Sequence, residues 1–341
     1  MDTMNVPIFI GNGKMEYRNI PVPNLEDEND VLIQVDQCGI CGTDLNIMAV
    51  PPAHKAENNI VIGHEAVGKV VKVGSAVQKL KPGDRVVVAP RMNCGECFYC
   101  RQGLVNQCID YKTIGTTVNG AFAPYLCAPQ RVFYKISDNV NNDNAVLFEP
   151  LSCVVGAMVK ASMQIGDNVA IFGAGPMGAL FAMVCKAMGA GKVIMLDIAQ
   201  SRLDFTTDKG IATASINVKS EQWKSELFDI CPFGVDIAID AVGNQIMSCV
   251  EISRRGGKVI LFGLRPNDSQ TITQYEITRK DLSVLGSFVG LNPFEQTIKL
   301  LDSNTCDFST LITHKLNLAD LEKGIELMRS RAAMKVIIEM D

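Results

Sequence analysis

The chain has 341 residues, 47% of them hydrophobic, and a formal net charge of -5; that is too long for one ordinary core and suits two domains. The acidic balance supplies no basic patch for nucleic acid or an anionic membrane, and no apolar run reaches the roughly 18 residues of a spanning helix. The first residues, with Asp2 and Asn5 and no apolar core of signal length, do not read as a secretory leader, so the expectation is a cytoplasmic protein acting on a small molecule.

Residues 1–150 read as short strands punctuated by turns: Val31–Val35, Val67–Val73 with period-two alternation, and Arg85–Ala89 after the Lys81-Pro82-Gly83 turn. Such strands, with no helical segments between them, predict a compact β-barrel. Between the first two strands stand Cys38-Gly-Ile-Cys41-Gly-Thr43-Asp44 and then Gly63-His64-Glu65. A Cys, a His and a carboxylate form the ligand set of an open catalytic zinc site, in which the fourth position is left for water or substrate. Thr43 offers a hydroxyl to pass a proton, and Asp44 an acid to brace the ligands. His64 taken alone reads more readily as a satisfied core histidine than as a ligand; its neighbours decide the matter.

Of twelve cysteines, Cys94, Cys97, Cys100 and Cys108 fall within one short polar loop. Four thiolates of such short reach can close a tetrahedral zinc site and leave no position for chemistry, which makes this a structural zinc. Cys38, Cys127, Cys153, Cys185, Cys231, Cys249 and Cys306 read as reduced and mostly buried small hydrophobes.

From Asn144 the pattern turns helical and contains Glu149-Pro150-Leu151-Ser152. Near residue 160 it changes to alternating strands and helices. Six strands are predicted at 169–172, 193–197, 215–218, 236–240, 258–262 and 282–287, with helices between the first five. That alternation specifies a parallel, doubly wound Rossmann sheet, hence an α/β chain. Gly173, Gly175, Pro176, Met177 and Gly178 lie where the first strand turns into the first helix, the place where a dinucleotide's pyrophosphate meets bare amides. Asp197 ends the second strand, as expected of an acid that accepts both ribose hydroxyls and repels a 2′-phosphate, so NAD is favoured over NADP. Arg202 either stacks on the adenine or sits in solvent, and Val242-Gly243, closing the fourth strand, are expected to pass beneath the cofactor. Helices at 293–303 and 320–331 and a last strand at Lys335–Met340 complete the chain.

The order of these elements, together with Gly83-Asp84-Arg85-Val86-Val87-Val88, resembles the zinc-containing medium-chain dehydrogenase/reductase family over nearly the whole chain, within it the polyol (sorbitol-like) and threonine dehydrogenase branches. The resemblance implies a GroES-like barrel for 1–150 and 290–341, discontinuous in sequence, and an NAD-binding Rossmann domain for 151–289. It also implies two zinc ions per chain and hydride transfer from a secondary alcohol to NAD. In the polyol branch the counterpart of Glu149 points at the catalytic metal, directly or through its water, so the third ligand beside Cys41 and His64 stays open between Glu65 and Glu149. Many relatives carry a proton-relaying His three positions past the counterpart of Thr43, where this chain has Asn46, an amide that takes up no proton near neutral pH. Sorbitol dehydrogenases carry an Arg-Tyr pair after the counterpart of Phe288, where Val289 and Gly290 stand here.

Two classes of function follow. One is a zinc-dependent, NAD-linked dehydrogenase for a sugar alcohol or sugar derivative, with threonine and butanediol as alternative substrates; the other is a nucleotide-sensing protein that kept the fold and lost the chemistry. Loss would strike Cys41, Thr43 or His64 first, and all three are present. The apolar stretch 282–288 would form a sheet edge that needs cover. In the family two chains commonly join there, which implies a homodimer or homotetramer.

Overall fold

The computed structural model describes residues 2–340. Close contacts group the chain into two units, one running to Pro150 and resuming at Phe294, the other spanning Leu151–Pro293.

The first unit opens with an antiparallel hairpin of β1 (Thr3–Gly11) and β2 (Lys14–Pro21), absent from the predicted elements. Its signal was in the sequence: Asn12-Gly13 takes φ 48° and 67°, the left-handed pair that a tight hairpin turn requires. Then come β3 (Asp30–Gly39), α1 (Gly42–Ile47), β4 (Glu65–Val73) and β5 (Arg85–Val88). The loop region holds β6 (Arg91–Met92), α2 (Phe98–Arg101) and β7 (Lys112–Thr113), and the chain returns through β8 (Tyr125–Pro129), β9 (Phe133–Lys135) and α3 (Asn142–Ala145). Helix α4 (Phe148–Ala161) leads into the second unit.

That unit alternates β10 (Asn168–Phe172), α5 (Pro176–Ala187), β11 (Lys192–Asp197), α6 (Gln200–Asp208), β12 (Ala214–Asn217), α7 (Trp223–Ile230), β13 (Val235–Asp240), α8 (Ile246–Ile252), β14 (Ser253–Leu261), α9 (Gln274–Arg279) and β15 (Ser283–Gly286). All five pairings are parallel and the strand order is β12-β11-β10-β13-β14-β15, so the order reverses between β10 and β13. The central strands are runs such as Val-Ile-Met-Leu and Ile-Ala-Ile because helices cover both faces of a parallel sheet. Two departures from expectation have local causes. Strand β14 starts at Ser253 rather than 258 because its first residues pair with Val235 before a register shift. Helix α9 buries no residue, so it gave no apolar periodicity to read.

The chain then rejoins the first unit through α10 (Phe294–Asp302), β16 (Ile312–Asn317), α11 (Leu321–Arg329) and β17 (Lys335–Glu339). The seven-stranded sheet runs β16-β17-β3-β4-β5-β9, with β8 also paired to β3. Its core includes Ile33, Ile40, Ile62, Ile114 and Phe122, all without solvent exposure; burying each such side chain is worth about 1.5–3 kcal/mol. Among the described residues no helix is long and apolar enough to cross a membrane.

Candidate active site

Strand β3 carries Gly39 and Ile40 to the edge where α1 begins, and β4 starts at Glu65, directly after His64. Because Gly39 pairs with Glu65 on one side and Ile337 on the other, three separated chain segments meet there. Ligand atoms of Cys41, His64 and Glu65 lie within 4.8 Å of one another. Cys41 is the N-cap of α1, and its backbone amide donates to Asp44 Oδ2 at 2.8 Å. Asp44 Oδ1 faces His64 Nδ1 at 3.8 Å, both atoms buried and without a hydrogen-bond partner. An orphaned pair of this kind fits a histidine whose other nitrogen is taken by a metal and whose Nδ1–H is turned toward a bracing carboxylate.

The electrostatics of the cluster are those of a cation site. Burial pulls the His64 pKa down, but the Cys41 sulfur, Asp44 and Glu149 outweigh it and raise it well above the ordinary imidazole value. Burial raises Asp44. Lys335, at the start of β17 and 5% exposed, donates to Ile40 O at 3.0 Å and pairs with Glu65 Oε2. Burial lowers its pKa, and Glu65, Cys41 and Glu149 more than restore it. A Cβ on Gly39 would lie 3.0 Å from Lys335 Cε, so the glycine leaves room for this pair. Glu149, in the first turn of α4, thus acts electrostatically on both His64 and Lys335 without joining the tight three-ligand group.

Lys335 was not legible as a site residue in the sequence, because a lysine opening an apolar strand looks like a solvated end. Thr43 lies in the first turn of α1, half-buried. The carbonyl of Asn46 accepts the amides of Ala53 at 2.9 Å and His54 at 3.3 Å, which ties a second imidazole to this turn. Burial and the charge of His64 lower the His54 pKa. His54 borders a cavity of about 350 Å³ that holds none of the ligand residues.

Cys94, Cys97, Cys100 and Cys108 form a second cluster, again with ligand atoms within 4.8 Å of one another. Sulfur separations are 3.5 Å for Cys94–Cys108 and 4.0 Å for Cys97–Cys108. Zinc–sulfur bonds of about 2.3 Å give a tetrahedron with edges of about 3.8 Å, so the four thiols fit that ion. Backbone amides of Cys94 and Cys97 donate to the sulfurs of Cys108 and Cys94, each at 3.3 Å. Backbone hydrogen bonds from Cys100 and Ile109 bring the Cys97 thiol down to about 6. Arg91 stacks 3.7 Å over the Tyr111 ring and lies within electrostatic reach of Cys108 and Cys100.

In the second unit Gly175 caps α5 and Pro176 opens it, the fixed φ of proline suiting a first helical position. Asp197, ending β11, accepts the amides of Ala174 at 2.7 Å and Ala199 at 2.8 Å. Arg202 Nη1 lies 2.7 Å from the place a Cβ on Gly175 would occupy, so its guanidinium covers the glycine loop. Val242 Cγ2 lies 2.9 Å from the Cβ position of Gly173, which places that side chain against the same loop.

Known proteins are similar to this chain. Two family models match: Alcohol dehydrogenase GroES-like domain over residues 27–138 and Zinc-binding dehydrogenase over 176–303. A sorbitol dehydrogenase of Bombyx mori is 31% identical over 98% of this chain and 97% of its own. An L-threonine 3-dehydrogenase of Escherichia coli is 33% identical over 95% of each chain. A zinc-binding dehydrogenase of Sinorhizobium meliloti, solved with NADP bound, superposes with a TM-score of 0.93 at 26% identity, over 99% of this chain and 100% of that one.

Proposed function

The chain belongs to the zinc-binding alcohol dehydrogenase family and is a zinc-dependent, nicotinamide-linked alcohol oxidoreductase; on that premise we propose that it oxidises a secondary hydroxyl of a sugar alcohol or closely related sugar derivative, with NAD as partner. When bound, zinc acidifies the alcohol and the nicotinamide ring takes up the hydride. In this reading Cys41, His64 and Glu65 hold the catalytic metal, Lys335 neutralises the outer oxygen of Glu65, and Asp44 fixes the His64 ring. Glu149 adds its charge beside these residues, acting on His64 and Lys335. Cys94, Cys97, Cys100 and Cys108 hold the structural metal, and Thr43 receives the substrate proton first. Asn46 cannot carry that proton onward, so it leaves through water or through His54, the titratable group tied to the same turn.

The observation that carries the substrate class is the set of carboxylates gathered at the cluster. Glu149 acts on His64 beside Glu65 and Asp44, and such a polar wall suits a ligand whose further hydroxyls must be paired once buried. Asp197 supports NAD, because its carboxylate would face a 2′-phosphate with like charge. The glycine loop, Arg202 and Val242-Gly243 form the rest of the cofactor seat, and a homodimer or homotetramer joined at the β15 edge completes the reading.

The test compares specificity constants for ribitol, arabinitol, xylitol, sorbitol and their phosphates with sugar acids, threonine, butanediol and ethanol. A polyol or polyol derivative is expected to rank first. Threonine or a short-chain alcohol ahead by tenfold, about 1.4 kcal/mol of transition-state discrimination, overturns the substrate class and leaves the metal and hydride chemistry standing.

A further inference from the structure

Asp240 ends β13, the first strand beyond the point where the sheet order reverses, and is 2% exposed. Its carboxylate accepts three backbone amides. Oδ1 takes Val242 at 2.9 Å and Gly243 at 2.6 Å, and Oδ2 takes Gln245 at 2.7 Å. Its carbonyl accepts two more, Phe262 at 3.0 Å and Gly263 at 2.9 Å, from the end of β14. One residue therefore ties down the loops that follow two adjacent strands, and those loops touch backbone to backbone: a Cβ on Gly243 would lie 2.8 Å from Gly263 C.

The turn held in this way reaches the dinucleotide loop. Ala241 donates to Phe172 O at 3.1 Å, and Val242 rests against Gly173. On the other side of β10, Asp197 holds Ala174 in the same loop. The glycine loop is thus flanked by two acids at the ends of the strands on either side of it, Asp197 on β11 and Asp240 on β13. In a doubly wound sheet the dinucleotide lies across the reversal point, its second half over the strands beyond it; those are β13 and β14.

We propose that Asp240 is a positioning residue for the nicotinamide half of the cofactor, acting through the Val242–Gln245 turn and the end of β14 without touching the cofactor itself. The proposal rests on the nicotinamide-cofactor reading above. Asn in its place offers one acceptor oxygen, and its NH₂ would face a backbone N–H, leaving a buried donor unpaired.

The test is Asp240→Asn in the full chain, with NAD and AMP as probes; AMP carries only the adenosine half. NAD affinity is expected to fall at least tenfold and kcat to fall with it, while AMP affinity and the KM for the alcohol stay within twofold. An unchanged NAD affinity, or an equal loss for AMP, overturns the proposal. Should Asp240→Asn fail to fold, Asp240→Glu, which keeps both acceptor oxygens one methylene further out, is expected to fold and show the same split. Failure of both to fold assigns Asp240 a purely structural role and overturns the proposal as well. If the unaltered protein bound neither NAD nor AMP, the cofactor reading itself would fall, an outcome distinct from those.

Discussion

The two ligand clusters of the first unit differ in how they are made. The four cysteines come from one short loop, and their geometry is set by local turns and by amides donating to sulfur. The Cys41–His64–Glu65 group is assembled across β3, α1, β4 and β17, and it needs charged partners, Asp44 and Lys335, the latter 270 residues beyond Glu65 in sequence. A closed cluster of one residue type supports folding, whereas an open one of mixed type, with carboxylates around it, supports chemistry. Each cluster should therefore fail in its own way when cut.

The largest effect is expected at the open cluster. His64→Ala should lower kcat by at least about a thousandfold, because the metal loses a ligand and Asp44 loses its partner, while NAD still binds and the melting temperature moves little. Near-normal turnover in that variant would erase the contrast between the clusters. A smaller and different effect is expected from Cys94→Ala: the melting midpoint should fall by at least about 5 °C, roughly 2 kcal/mol for a domain of this size, with residual activity in the fraction that stays folded. Thermal unfolding read by calorimetry decides, and a variant that melts like the parent contradicts a structural role for the loop.

A baseline free of both clusters comes from Asp84, which pairs with Lys135 at 2.7 Å and accepts the Lys81 amide at 3.0 Å. Burial pushes its pKa up, but these bonds outweigh that and hold it below the usual aspartate value. Because the folded pKa is the lower one, its contribution is complete above about pH 4 and is lost as the pH falls through the folded pKa. Asp84→Asn should cost about 1 kcal/mol at pH 7, Lys135 being half exposed to solvent, and the gap to the parent should close in acid. A gap that widened as the pH fell would reverse the sign.

Much of this was legible because it is local. The Cys97 and Cys100 spacing, the strand–glycine–helix context of Gly173–Gly178 and the acid at the end of the second strand all fall within single segments, where the sequence carries both the residues and the geometry. What escaped was tertiary or unpatterned. Lys335 and Asp240 are charged residues at strand ends, which read as solvated until the neighbouring strands and loops bury them. Helix α9 buries no residue, so it left no periodic trace. The choice between Glu65 and Glu149 could not be made from sequence either, since both acids follow plausible ligand patterns. In the fold Lys335 meets Glu65, which groups with Cys41 and His64, and Glu149 acts on His64 by its charge.

The most direct test of two clusters with separate duties is metal analysis after exhaustive dialysis, run on the parent, His64→Ala and Cys94→Ala, with turnover measured on the same samples. Two zinc ions per chain are expected in the parent and one in each variant, with turnover abolished in His64→Ala and retained in the folded fraction of Cys94→Ala. A parent holding one ion or none, or a His64→Ala protein that keeps both ions and its activity, would contradict those separate duties.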